Sequence, residues 1–106
     1  MRIWNLEFLP EADKDHDKLD KSVRIQVDKA INKVLQNPLP DYEGGYGKPL
    51  SGDLAGCLKI KLKKAGVRVI YKLIRVDDVM KVVVIAARAD DEVYEIAQKR
   101  VKDEET

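Results

Sequence analysis

The stretch Cys57–Ala87, CLKIKLKKAGVRVIYKLIRVDDVMKVVVIAA, decides how this chain folds. Its apolar runs CLKIKLK, VRVIYKLI and VMKVVVIAA are short and rich in β-branched residues, so they read as strands rather than helices. Ala65-Gly66 separates the first pair and Asp77-Asp78 the second, and connections this short make an antiparallel meander the economical topology. Positive charge collects in the same stretch. Between Cys57 and Arg75 lie seven basic residues (Lys59, Lys61, Lys63, Lys64, Arg68, Lys72 and Arg75) and no acid, in a 106-residue chain of net charge +1. The rest of the chain holds 13 basic against 19 acidic residues, a net of −6, so the strand segment is a candidate anion-binding surface.

Strand alternation puts Lys59, Lys61 and Lys63 on one face and Leu58, Ile60 and Leu62 on the other. With Ala65-Gly66 at the centre of the hairpin, Lys63 lies opposite Arg68, Lys61 opposite Ile70 and Lys59 opposite Lys72, all on one side. Like charges facing each other in a sheet destabilise it by several tenths of a kcal/mol, so stability alone does not account for the cluster. The competing reading is a solvated sheet face whose lysines discourage edge-to-edge association.

Outward from the meander, Met1–Phe8 (MRIWNLEF) alternates loosely and predicts a short opening strand with Ile3, Leu6 and Phe8 inward. Pro10 suits the first turn of a helix over about 10–19, with Leu9, Ala12, His16 and Leu19 on its apolar side. Ser22 is the expected N-cap of a second helix whose stripe is Val23, Val27, Ile31, Val34 and Leu35; Asn37, Pro38 and Pro40 end it. Asp41–Gly56 is loop material. Asp90 or Asp91 caps a last helix through about residue 101, carrying Val93, Tyr94, Ala97 and Val101, and Lys102–Thr106 is expected to fray. The expectation is a single α+β domain over residues 1–106, with helices packed on one face of a small antiparallel sheet.

Several classes are disfavoured by composition. No apolar run approaches the roughly 20 residues of a membrane span, and no apolar signal region precedes the charge-dense EADKDHDKLDK. A lone Cys57 suits a reducing cytoplasm and is expected to pack as a small apolar side chain. His16 is the one histidine and lies on the apolar side of its helix, so metal sites and triads are not expected.

GCLKIKLKKAGVRVIY, followed by ARADDEVY, resembles the RelE branch of the RelE/ParE toxin superfamily, and the helix phrase EADKDHDKLDKSVRIQVDKAINKVLQNP and linker KPLSG fall in the family's order. That resemblance implies a RelE-like fold: an N-terminal strand, two helices, a three-stranded antiparallel meander completing a small sheet, and a C-terminal helix. It implies the toxin of a type II toxin–antitoxin pair, an endoribonuclease that cleaves messenger RNA in the ribosomal A site without metal or cofactor. Its implied partners are a RelB-like antitoxin bound in a heteromeric complex, the ribosome and the message. The residues that carry over are Lys59, Lys61, Arg68, Arg88 and Tyr94 as catalytic groups, with Lys63, Lys64 and Lys72 as RNA-binding charges. Leu58 stands where an aromatic residue is common in the family, and the near-neutral total charge departs from its usual basicity. Two alternatives share the fold: a ParE-like inhibitor of DNA gyrase, and a degenerate toxin that only binds its antitoxin.

The chemistry can be argued from the residues. RNA cleavage by the 2′-hydroxyl needs a base, an acid for the 5′-oxygen, and positive charge around the phosphorane. Arg68 and Arg88 suit bidentate grip on phosphate. A lysine crowded by like charges titrates nearer neutrality, which makes Lys59 or Lys61 a conceivable base. Tyr94 could hold the 2′-hydroxyl, stack on a base or transfer a proton. The structural alternatives are packing for Tyr94, a helix cap or a pair with Asp90 or Asp91 for Arg88, and a core role for His16.

Overall fold

A computed structural model describes residues 3–87 and 89–105, with the side chain of residue 105 left out. Strand β1 (Asn5–Phe8) leads into helices α1 (Pro10–Asp17) and α2 (Lys21–Leu35). A loop with two short 3-10 turns and the two-residue strand β2 (Lys48–Pro49) follows. Strands β3 (Cys57–Leu62), β4 (Val67–Ile74) and β5 (Val79–Ala86) form the meander, and helix α3 (Asp90–Glu105) ends the chain. The sheet order is β1-β5-β4-β3-β2, antiparallel except that β1 lies parallel to β5. The sheet is therefore mixed, because the two intervening helices return the chain to the far edge of the meander in the same direction.

Both meander turns are longer than the sequence suggests. Lys63–Gly66 make a four-residue connection in which the Gly66 N–H meets the Lys63 carbonyl at 3.3 Å and Gly66 takes φ +68°, a conformation that glycine adopts without strain. The register moves accordingly: Lys61 pairs with Arg68, Lys59 with Ile70 and Cys57 with Lys72. Since the shift is by two residues, the lysines keep their face; Lys63, however, leaves the strand for the exposed turn. Between Ile70 and Tyr71 the register against β5 slips, and Val83 is left out of the pairing.

The face carrying Leu58, Val69, Tyr71 and Val82 packs on α1 and α2, whose buried contributions are Ala12, Val27, Ile31 and Val34. Tyr71 is fully buried; its hydroxyl donates to the Pro38 carbonyl at 2.8 Å, and loss of solvent raises its pKa well above the ordinary tyrosine value. Gly47 makes room for that clamp: a Cβ there would lie 2.2 Å from the Tyr71 hydroxyl. Cys57 is buried, and His16 joins α1 to α2 with Nε2 2.7 Å from Asp28 Oδ1, its ring edge-on to Phe8.

The helices do not share one face. Tyr94, Asp90 and Glu104 of α3 all contact charged residues on the lysine side of the sheet, so α3 covers the face opposite α1 and α2. Its buried Val93 and Ala97 belong to the core together with Ile70 and Val84, and α3 contacts both β4 and β5. Three further expectations are corrected. Ile3 is 78% exposed rather than inward, because pairing with β5 begins only at Asn5, whose N–H meets the Asp78 carbonyl at 2.8 Å. Helix α2 starts one residue before Ser22, with Asp20 in the cap position and no side-chain cap bond. Helix α3 continues through Glu105, held by ion pairs of Glu104, where the sequence suggests fraying.

Candidate active site

Three elements bring the site together. The β3–β4 hairpin sets Lys59 and Lys61 on the face they share with Arg68, and α3 crosses that face with Asp90 and Tyr94 one helical turn apart. The Lys59 ammonium donates to the Tyr94 hydroxyl at 3.0 Å and stands 5.6 Å from the centre of the Tyr94 ring. Asp90 faces both cations: one carboxylate oxygen contacts Arg68 Nε and the other is 3.7 Å from Lys59 Nζ. Lys59 and Arg68 are only 16% and 19% exposed, whereas Lys61, paired across from Arg68, is open to solvent.

The Tyr94 hydrogen bond outweighs the loss of solvent at Lys59 and, with smaller contributions from the charge interactions with Tyr94 and then Asp90, holds its pKa above the ordinary lysine value. Lys59 is therefore a charged donor in this state, contrary to the expectation that neighbouring cations would push it toward neutrality. Partial burial works against ionisation of Asp90, but the Arg68 hydrogen bond and the charges of Lys59, Arg68 and Lys61 together hold its carboxyl below the ordinary range.

The remaining predicted residues divide. Lys72 lies on the same face but at the far end of β4, in register with Lys81; Glu104 joins both, at 2.7 and 3.3 Å. Lys63 and Lys64 sit in the exposed hairpin turn, away from the paired strands. Arg88 lies outside the described residues. Sequence reasoning passed over Asp90 as a member of this cluster because an acid in the first helical turn reads as a cap; the available signal was its spacing of one turn from Tyr94.

Among the described residues, no group of three or more His, Cys, Asp or Glu could hold a metal ion, and no helix is long and apolar enough to cross a membrane. A depression of about 700 Å³ is lined mainly by apolar and amide residues including Trp4, Leu35, Leu39 and Tyr46 and contains none of the predicted site residues. A phosphate-bearing ligand is better matched by the cationic face than by that uncharged groove.

Comparison with known proteins places the chain in a family. Residues 6–92 match the family described as ParE toxin of type II toxin–antitoxin system. The chain is 34% identical over 96 residues to the mRNA interferase toxin RelE of Escherichia coli, covering 91% of this chain and 95% of that one. The mRNA interferase RelE of Shigella flexneri matches to the same extent, 34% over 96 residues, with the same coverage of 91% and 95%. A doubly substituted variant of E. coli RelE in the free state superposes with a TM-score of 0.78 at 32% identity, over 94% of this chain and 99% of that one. The intact E. coli RelBE toxin–antitoxin complex contains a chain that superposes at 0.65 with 30% identity, over 81% of this chain and 98% of its own length. With the family matched from residue 6 to 92 and relatives above 30% identity along nearly its whole length, the chain belongs to the RelE/ParE superfamily of type II toxins.

Proposed function

We propose that this toxin is a ribosome-dependent endoribonuclease that cleaves messenger RNA in the A site without a metal ion. The observation that carries the reading is the Lys59–Tyr94 hydrogen bond beside Arg68, which sets two fixed cations and a phenol on one surface. In the reaction the 2′-oxygen attacks the adjacent phosphorus, the bond from phosphorus to the 5′-oxygen breaks, and a cyclic phosphate and a 5′-hydroxyl result. Lys59 and Arg68 neutralise the extra charge on the phosphorane, with Arg88 as a third cation. A charged Lys59 is suited to donate a proton to the departing 5′-oxygen. The base that takes the 2′-proton is then sought in Lys61 or Tyr94, and Lys63, Lys64 and Lys72 serve as outlying charges for the RNA backbone.

Primer extension on a translated message is expected to show cuts in codon register with ribosomes and none without them. A folded protein that leaves the message intact on ribosomes overturns the reading. The family description names ParE, which keeps a second reading in play, a gyrase inhibitor that does not cut RNA. Inhibition of supercoiling without RNA cleavage selects it. Against it stand the Lys59–Lys61 pair and Tyr94, for which gyrase binding offers no chemical use.

RelE from E. coli is bound by an antitoxin in the RelBE complex, and the same class of partner is proposed here. Its acidic or amphipathic segment is expected to cover the lysine face or displace α3, since binding there blocks RNA and supplies anions to the like charges. A structure of the complex in which the antitoxin avoids both surfaces refutes this.

A further inference from the structure

The site is occupied by the protein's own carboxylate. Asp90 sits between Lys59 and Arg68, on the surface that the proposed reaction needs for a phosphate. Two oxygens of one anion engage two cations, as two phosphate oxygens would. At the other end of α3, Glu104 bridges Lys72 and Lys81 through one oxygen, Oε1. Helix α3 is thus pinned over the cationic face at both ends by anions that belong to the chain. We propose that Asp90 is an internal counter-anion that competes with the substrate phosphate, so that RNA engages Lys59 and Arg68 only by displacing it; the identity of the displacing ligand rests on the proposed nuclease reading.

The geometry favours displacement over a permanent pin. Asp90 is in the first turn of α3 and 36% exposed, so its side chain has a route to solvent without unfolding the helix. The buried Val93 and Ala97 hold α3 independently of that side chain. Exchange of one anion for another keeps both cations paired throughout, which avoids leaving partly buried charge uncompensated. Protonation does not release Asp90 near neutrality, because Lys59, Lys61 and Arg68 keep the carboxyl below its ordinary range, so the device answers to competing anions rather than to pH. Lys59 remains charged after the exchange, since phosphate supplies the negative neighbour that Asp90 supplied.

The test uses the full chain and a short single-stranded RNA carrying a 2′-deoxy nucleotide at the cleavage position, with binding read by fluorescence anisotropy at low and moderate salt. Asp90→Asn is expected to tighten binding about tenfold or more at low salt, because one charge-assisted hydrogen bond to Arg68 no longer has to be exchanged. Asp91→Asn, which removes an equal charge from an exposed neighbour, is expected to change it by less than about twofold. Asp90→Ser retains a helix-capping side chain and should tighten binding like Asp90→Asn, which keeps the comparison valid if the amide variant folds poorly. In the wild type, inorganic phosphate should shift the Arg68 Nε–H resonance saturably. Unchanged or weaker binding by folded Asp90 variants, or an unmoved Arg68 resonance, overturns the proposal. Message cleavage is measured in parallel on ribosomes. Tighter binding and a phosphate response without cleavage would sink the nuclease reading alone; cleavage by the wild type without tighter binding by the variants would sink the counter-anion alone.

Discussion

Arg68→Ala is expected to lower single-turnover message cleavage on programmed ribosomes by about 10²–10³-fold, the usual loss when one preorganised charge donor to a transition state is removed. Arg68 lies on the central part of the sheet, paired with Lys61 on β3 and Ala86 on β5, so strand pairing on both sides fixes its stem. Its guanidinium is mostly enclosed, where an ion interaction is weakened less by water than at the surface. Arg68→Lys should recover only part of the rate, because an ammonium retains the charge but loses the planar fork. Releasing Asp90 is a side effect of either change, and thermal unfolding of the variants separates it from the loss of rate. The raised pKa of Lys59 adds a condition on the pH profile: Lys59 stays protonated through and above neutrality, so a rate that rises with pH near neutrality comes from another group. An Arg68→Ala protein that cuts within a factor of about three of the wild type removes Arg68 from the catalytic set.

The meander was legible because period-two patterning is a local property, and the face assignment survived an error in the turn. Lys63 is as plausible in a strand as in a turn, so the connection length could not be read from composition; the resulting slip of two residues preserved which side each lysine takes. The placement of α3 was not legible. Val93 and Ala97 state that the helix buries one stripe, but nothing in that stripe says which sheet face receives it. Helices α1 and α2 fill the side of Leu58 and Tyr71, leaving Ile70 and Val84 without cover on the lysine side until α3 lies across them. That burial brings Tyr94 to Lys59 and Asp90 to Arg68, so the candidate site is a consequence of α3 docking as much as of the basic hairpin.

Docking on that face is secured from the sheet edge, where Asp15→Ala is expected to cost about 2–4 kcal/mol of stability, because it strands both a partly buried cation and a backbone donor. Strand β1 ends at Phe8, opposite Val82, and the bulge at Val83 interrupts regular pairing just beyond it. Side chains serve the unpaired backbone there. Asp15 of α1 accepts the Ile85 N–H at 3.1 Å, and Arg100 of α3 donates to the Val83 carbonyl at 3.0 Å. The two side chains join in a bidentate pair with distances of 2.6 and 3.3 Å, each 18% exposed. One ion pair therefore links helices on opposite sheet faces and closes the unpaired edge of β5 between them. Asp15→Asn keeps an acceptor for Ile85 and loses the charge, so it should fall between wild type and Asp15→Ala in urea denaturation. Combining Asp15→Ala with Arg100→Met should destabilise by less than the sum of the single changes, since the double variant no longer holds an unpaired guanidinium. Because Arg100 and Tyr94 lie on one helix, loss of this pair should also loosen the Lys59–Tyr94 contact and lower cleavage without any change to the site residues themselves. Denaturation midpoints for Asp15→Ala within about 0.5 kcal/mol of wild type would show that the edge is satisfied in some other way and that α3 is held by its apolar stripe alone.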